Sequence, residues 1–157
     1  MTTTASARLT ELGLTLPPVA APVAAYVPAL RSGDLVFTSG QLPFIDGDLP
    51  ATGKVGDGDG ATVTAEQAKD LARTATLNAL AAIDDLVGLD EVVQVVKVVG
   101  FVSSAAGFGG QPGVVNGASE LLGEVFGEAG AHARSAVGVA ELPLDSPVEV
   151  ELIVRVR

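Results

Sequence analysis

Arg134 and Ser135 follow a Gly/Ala-rich loop and open an apolar run. A guanidinium is a planar fork that can hold a carboxylate through two parallel hydrogen bonds. From spacing alone, an exposed or ion-paired structural arginine is the more ordinary reading. Glu149 and Glu151 alternate with valines, so both project from one face of a strand. Paired carboxylates can divide acid and base roles when burial separates their pKa values, although such a face is more often simply solvated. Thr38-Ser39-Gly40-Gln41 ends an apolar run. There Gly would allow close backbone approach to a ligand and Ser would supply a donor, or the four residues form an ordinary turn. The single histidine, His132, is expected on a loop surface and is assigned no chemistry. Gly107-Phe108-Gly109-Gly110 has neither the Lys-Ser/Thr of a phosphate loop nor dinucleotide-binding spacing.

Composition narrows the chemistry further. The absence of cysteine excludes disulfides, thiolate catalysis and Cys-based zinc sites, and one histidine excludes a multi-histidine metal cluster. The formal net charge is −10, from 19 acidic and 9 basic residues, with no basic cluster. Nucleic-acid binding is therefore not expected, and the acidity fits solubility. No run of about 20 apolar residues suggests a membrane span. The N-terminal residues lack the basic-then-apolar order of a signal peptide, so a cytoplasmic protein is expected.

A chain of 157 residues with 48% hydrophobic content suits one domain with an aliphatic core. Residues 1–22 read as an N-terminal extension, with a short amphipathic turn at Ala5–Leu12 ended by Gly13; the core domain then runs over about 23–157. Ala25–Leu30 and Leu35–Gln41, joined by Arg31-Ser32-Gly33-Asp34, predict a β-hairpin. The Gly/Asp-rich stretch Ile45–Ala61 predicts a surface loop whose acidic residues serve turns rather than calcium. Thr64 with Gln67 forms a capping box opening a helix to about Leu86, with an alanine-rich apolar face and Gly88 at its end. Val92–Val102 predicts a central strand, Ser103–Gly113 a Gly-rich loop, and Val114–Val125 a second amphipathic helix. Arg134–Leu142 and Val148–Arg157 predict the last strands. The order β-β-α-β-α-β-β implies an α/β (α+β) domain with a mixed sheet and both helices on one face. The other face needs a cover, for which a partner subunit is a natural answer.

These segments together resemble the RidA/YjgF family, also called the endoribonuclease L-PSP family. Tyr26-Val27 and the run Gly33 to Pro43 look like its N-terminal hairpin. Ala133-Arg134-Ser135-Ala136-Val137 with Leu142-Pro143 resembles its C-terminal signature, and Val148-Glu149-Val150-Glu151 its closing strand. The resemblance implies a chorismate-mutase-like fold and a homotrimer with active clefts between subunits. It also implies hydrolytic deamination of small 2-enamines and 2-imines to 2-keto acids and ammonia, without metal or organic cofactor. It places the carboxylate-binding arginine at Arg134 and the water-activating glutamate at Glu149. Tyr26, Ser39, Gly40 and Asn116, the last opening the second helix, would line the cleft. Where the family often has Cys, this chain has Ala136, a position implied to act through backbone atoms; where it usually has Pro, this chain has His132. These departures and the long loops imply a longer, divergent branch. Two other functions are compatible: a binding module for a small carboxylate without turnover, and a ribonuclease, against which the charge speaks.

Overall fold

The computed structural model describes residues 2–19 and 24–157. Five strands form one mixed sheet: β1 (Ala29–Ser32), β2 (Leu35–Thr38), β5 (Val92–Ser103), β6 (Ala133–Val139) and β7 (Val148–Val156). Their spatial order is β1-β2-β7-β5-β6. Only the β5–β6 pair is parallel, because α3 (Gln111–Phe126) makes the crossover between them. β3 (Lys54–Val55) and β4 (Ala61–Val63) form a separate two-stranded parallel pair within the region expected as loop. Asp46 and Gly47, both at positive φ, make a tight turn between bridged Ile45 and Asp48.

The expected hairpin forms, but later in the chain than its apolar pattern suggested. β1 is Ala29–Ser32 rather than Ala25–Leu30, and Ser32 pairs with Leu35 across Gly33-Asp34. Gly33 takes φ +63°, which lets so short a connection close. β6 ends at Val139, three residues before the expected Leu142.

α2 (Ala65–Val87) begins as its capping box dictates. Thr64 Oγ1 accepts from the Gln67 N–H at 3.1 Å, and the Thr64 N–H donates to Gln67 Oε1 at 3.0 Å. Gly88, at φ +89°, ends it. Ala68, Ala72, Ala75, Ala79 and Ala82 are all buried, so α2 lies low against the sheet. α2 and α3 cover one sheet face, where Val148, Val150, Leu152, Val154 and Val156 of β7 are buried. Each such side chain contributes roughly 1.5–3 kcal/mol when fully removed from water. Gly117 of α3 sits where a Cβ would overlap the Lys69 carbonyl of α2, so a glycine that weakens the helix locally permits close helix packing.

α1 (Ala5–Glu11) belongs to the same body. Leu9 joins the core, Ser6 donates from both N–H and Oγ to Asp90, and Arg8 Nε donates to the Glu124 carbonyl. Among the described residues, the opposite sheet face carries no helix. A row of Leu30, Phe37, Ile153, Lys97 and Ala133 crosses all five strands on that face. Among its neighbours, Val96 and Val137 are exposed.

Candidate active site

The β5 register divides the expected site residues between the two sheet faces. Arg134 pairs with Val98, which pairs with Leu152; both neighbours are buried under the helices. Directly paired residues share a face, so Arg134 projects on the helix side. There it reaches past the edge strand β6 to the flank of α3. Ala136, paired with Gly100, lies on that side too. Glu149 pairs with Phe101, which pairs with Val137, and Glu151 pairs with Val99, which pairs with Ser135. Both carboxylates therefore lie on the uncovered face. Within one chain, Arg134 and Glu149 are on opposite sides of the sheet.

On the helix side, Arg134 Nη1 donates to Asn116 Oδ1 at 2.7 Å and to Ser119 Oγ at 3.2 Å. Among the described residues these are its only protein partners, and no carboxylate lies within ion-pairing range. One end of the guanidinium is thus fixed by neutral acceptors, and the Nε–Nη2 edge remains available. Contrary to the expectation from sequence, Asn116 does not open α3. The helix begins at Gln111, with Pro112 in its first turn, so Asn116 lies in the second turn. The Gly-rich stretch before it hid this start.

On the other face, Glu149 and Gly40 meet. A Cβ on Gly40 would overlap Glu149 Oε1, so only glycine leaves the carboxylate this room. Gln41 exchanges both backbone hydrogen bonds with Val150, at 2.8 and 3.0 Å, which pins Gly40 against β7. Ser39 Oγ donates to the Val27 carbonyl at 2.6 Å and ties down the segment carrying the exposed Tyr26. Tyr26, Ser39, Gly40 and Glu149 therefore belong to one neighbourhood; Arg134, Asn116 and Ala136 belong to another. Burial pushes the half-buried Glu149 carboxyl above the ordinary glutamate range, and the Glu151 charge on the same face pushes it the same way.

Three residues were not legible as site residues. Ser119 holds Arg134; its i+3 spacing from Asn116 was the one available signal. His132 lies in the loop before β6, as expected, but not at its open surface. It is half-buried, with Nδ1 2.6 Å from the Gly130 carbonyl and Nε2 2.8 Å from Ser119 Oγ. Asn78 of α2 donates to the carbonyls of Leu42 and Phe44 at 2.9 and 3.2 Å, fixing the path beyond Gly40 and Gln41. Among the described residues, no three His, Asp or Glu side chains are grouped as a metal site, and no helix is long and apolar enough to cross a membrane.

Comparison with known proteins gives concordant similarities. A model of the YjgF/chorismate mutase-like family, which carries an endoribonuclease label, matches residues 6–156. Protein TCP17 of Trypanosoma cruzi is 42% identical over 154 residues, 97% of this chain and 94% of its own. A solved Shewanella oneidensis structure, also labelled an endoribonuclease, is 35% identical with a TM-score of 0.91, covering 98% of this chain and 99% of its own. The Escherichia coli TdcF structure, solved with bound serine, is 31% identical with a TM-score of 0.58, covering 90% and 94%.

Proposed function

The chain belongs to the YjgF/chorismate mutase-like family, and from that premise we propose that it hydrolyses small 2-imino and 2-amino-enoic acids to 2-keto acids and ammonia. The observation that carries the reading is Arg134. Among the described residues this half-buried guanidinium is tethered only by neutral acceptors, which leaves a two-donor edge of the kind a substrate carboxylate requires. The bound serine of TdcF, a small amino acid with a carboxylate, supports a ligand of that class.

Glu149 is the general base. Its raised pKa brings it toward neutrality, where a carboxylate can both take and return a proton. It takes a proton from water as the water oxygen attacks the imine carbon. It then delivers that proton to the amine nitrogen. The hydroxyl of the resulting carbinolamine then gives its own proton, through Glu149, to the nitrogen as the C–N bond breaks, so ammonia leaves and the carbonyl of the keto acid forms. The imine carbon is already electrophilic, so this route calls on no metal or organic cofactor. Since Arg134 and Glu149 lie on opposite faces, each site takes Arg134, Asn116 and Ala136 from one copy of the chain. Glu149, Gly40, Ser39 and Tyr26 come from the next. A homotrimer assembled through the uncovered apolar face would supply this arrangement. A cytoplasmic setting fits such small-molecule chemistry.

The test is ammonia release from imines generated in situ by an amino-acid oxidase, with semicarbazide as the competing trap. Acceleration should be lost in Arg134→Ala and Glu149→Gln. Undiminished hydrolysis in either variant would sink the role assigned to that residue. Ligand-induced thermal stabilisation without ammonia release would favour a binding module that uses Arg134 alone. RNA cleavage lost in Arg134→Ala would instead favour the endoribonuclease label, which a net charge of −10 disfavours.

A further inference from the structure

We propose that His132, acting through Ser119, is a positioning residue for Arg134; the inference rests on the anchoring role given to Arg134 above. A backbone carbonyl can only accept, so the 2.6 Å contact to Gly130 puts the ring proton on His132 Nδ1. In the neutral ring Nε2 is then an acceptor, and the Ser119 hydroxyl donates to it across 2.8 Å. The Ser119 lone pairs consequently face Arg134, whose Nη1 donates at 3.2 Å. Every group in the series has its donor matched to an acceptor, in one direction, from Arg134 to Ser119 to His132 to Gly130.

The far end of the series is itself fixed. Gly130 packs where a Cβ would overlap the Leu122 carbonyl of α3. Gln94 Nε2 donates to the carbonyls of Ala129 and Ala131 on either side, at 3.2 and 2.5 Å. The Gly130 carbonyl is thus held by α3 and β5 together, and it holds the imidazole.

His132 matters because a serine inside a helix has a competing choice. Its hydroxyl ordinarily turns back to the carbonyl four residues earlier, here that of Val115. The acceptor at His132 Nε2 draws the hydroxyl away from the helix and fixes the lone pairs toward Arg134. Asn116 alone could restrain one N–H of Nη1 but would leave the guanidinium plane free to swing. Two acceptors on one nitrogen fix the plane, and with it the direction of the open Nε–Nη2 edge.

The experiment compares wild type, Ser119→Ala, His132→Ala and His132→Gln by two readouts. The first is the side-chain N–H signal of Arg134 in NMR spectra, assigned by its loss in Arg134→Lys. It needs no turnover. A sharp, slowly exchanging signal is expected in wild type and in His132→Gln, which keeps an acceptor near the place of Nε2. Broadening is expected in Ser119→Ala and His132→Ala. The second readout is imine hydrolysis, where the two alanine variants should raise KM about three- to tenfold, the effect of one lost hydrogen bond. Their kcat should stay within about twofold, and His132→Gln should restore KM. An unchanged Arg134 signal in His132→Ala overturns the positioning role, whether or not the protein hydrolyses imines. A broadened signal with unchanged KM instead overturns the anchoring role of Arg134 and leaves the positioning role standing.

Discussion

Two inactive variants are expected to rescue each other when mixed. Arg134→Ala deletes the carboxylate fork and keeps Glu149; Glu149→Gln does the reverse. A charge-assisted hydrogen bond is worth about 1.5–3 kcal/mol, so losing the bidentate pair should cost at least about a hundredfold in kcat/KM. The two side chains sit on opposite faces because Arg134 shares a row with buried Val98, whereas Glu149 shares one with Phe101. A site that uses both must therefore join two copies of the chain. In an equal mixture with free subunit exchange, a given site has an intact arginine with a chance of about one half. The same holds independently for its glutamate, so about one quarter of sites are whole, whatever the size of a closed ring. The assay is ammonia release before and after exchange in mild denaturant, with native mass spectrometry to verify mixed oligomers. If each site lay within one chain, no site in the mixture would hold both groups. Background activity in a mixture shown to contain mixed oligomers would refute the assignment of the two residues to different subunits.

Other perturbations read other parts of the structure. Gly40→Ala should displace the Glu149 carboxylate and lower kcat by about tenfold or more, since small misplacement of a base is costly; its KM should stay close to wild type if Arg134 alone anchors the carboxylate. Glu151→Gln removes the like charge that helps raise the Glu149 pKa, so the acid limb of the kcat/KM profile should move to lower pH. A raised folded pKa contributes stability below the unfolded value and loses it as pH rises through the folded value. Glu151→Gln should therefore also melt higher than wild type near neutrality, as thermal scans would show. Gly117→Ala should drive α2 and α3 apart, with overpacking of about 1–3 kcal/mol outweighing the helix-propensity gain of about 1 kcal/mol, measurable by urea titration. The Ser6 hydroxyl and N–H hold the Asp90 pKa below the ordinary aspartate range, so the Asp90 tether of α1 is present above the unfolded pKa. It is lost as pH falls through the depressed folded value. The protection factor of the Ser6 amide, taken against its intrinsic exchange rate at the same pH, should fall in acid and be low in Asp90→Ala throughout.

Period and capping made most of the elements legible, and turn geometry did not. The Thr64–Gln67 pair and the alanine face gave α2 to within a residue at each end. Strict alternation gave β7 and the shared face of Glu149 and Glu151. The start of α3 was hidden because Gly110, Gln111, Pro112 and Gly113 read as loop, although Pro suits a first helical turn. β1 was misplaced because Ala25, Tyr26 and Val27 are apolar, yet pairing begins only at Ala29. In the candidate site, the residue types of Arg134 and Glu149 already suggested carboxylate binding and acid–base chemistry. The hold of Ser119 and His132 on Arg134 was not, because it depends on bringing the flank of α3 against β6.

The face assignment follows from strand register. On β5, Val95, Val98 and Val102 are buried under the helices, whereas Lys97, Val99 and Phe101 face away. A strand whose buried set is fixed cannot slip by one residue without turning that whole set to water. The pairing of β7 is fixed by its own five buried residues, and that of β6 by its parallel crossover through α3. Residue 134 then falls on the covered face and residue 149 on the uncovered one. Moving either to join the other would require a slip that exposes several valines, each costing roughly 1.5–3 kcal/mol. The same burial pattern that stabilises the domain thus keeps the arginine and the glutamate apart within it. Any chemistry that needs both must be performed by an assembly, and the exposed Phe37 and Val137 around Glu149 and Glu151 offer apolar surface that a second copy could cover.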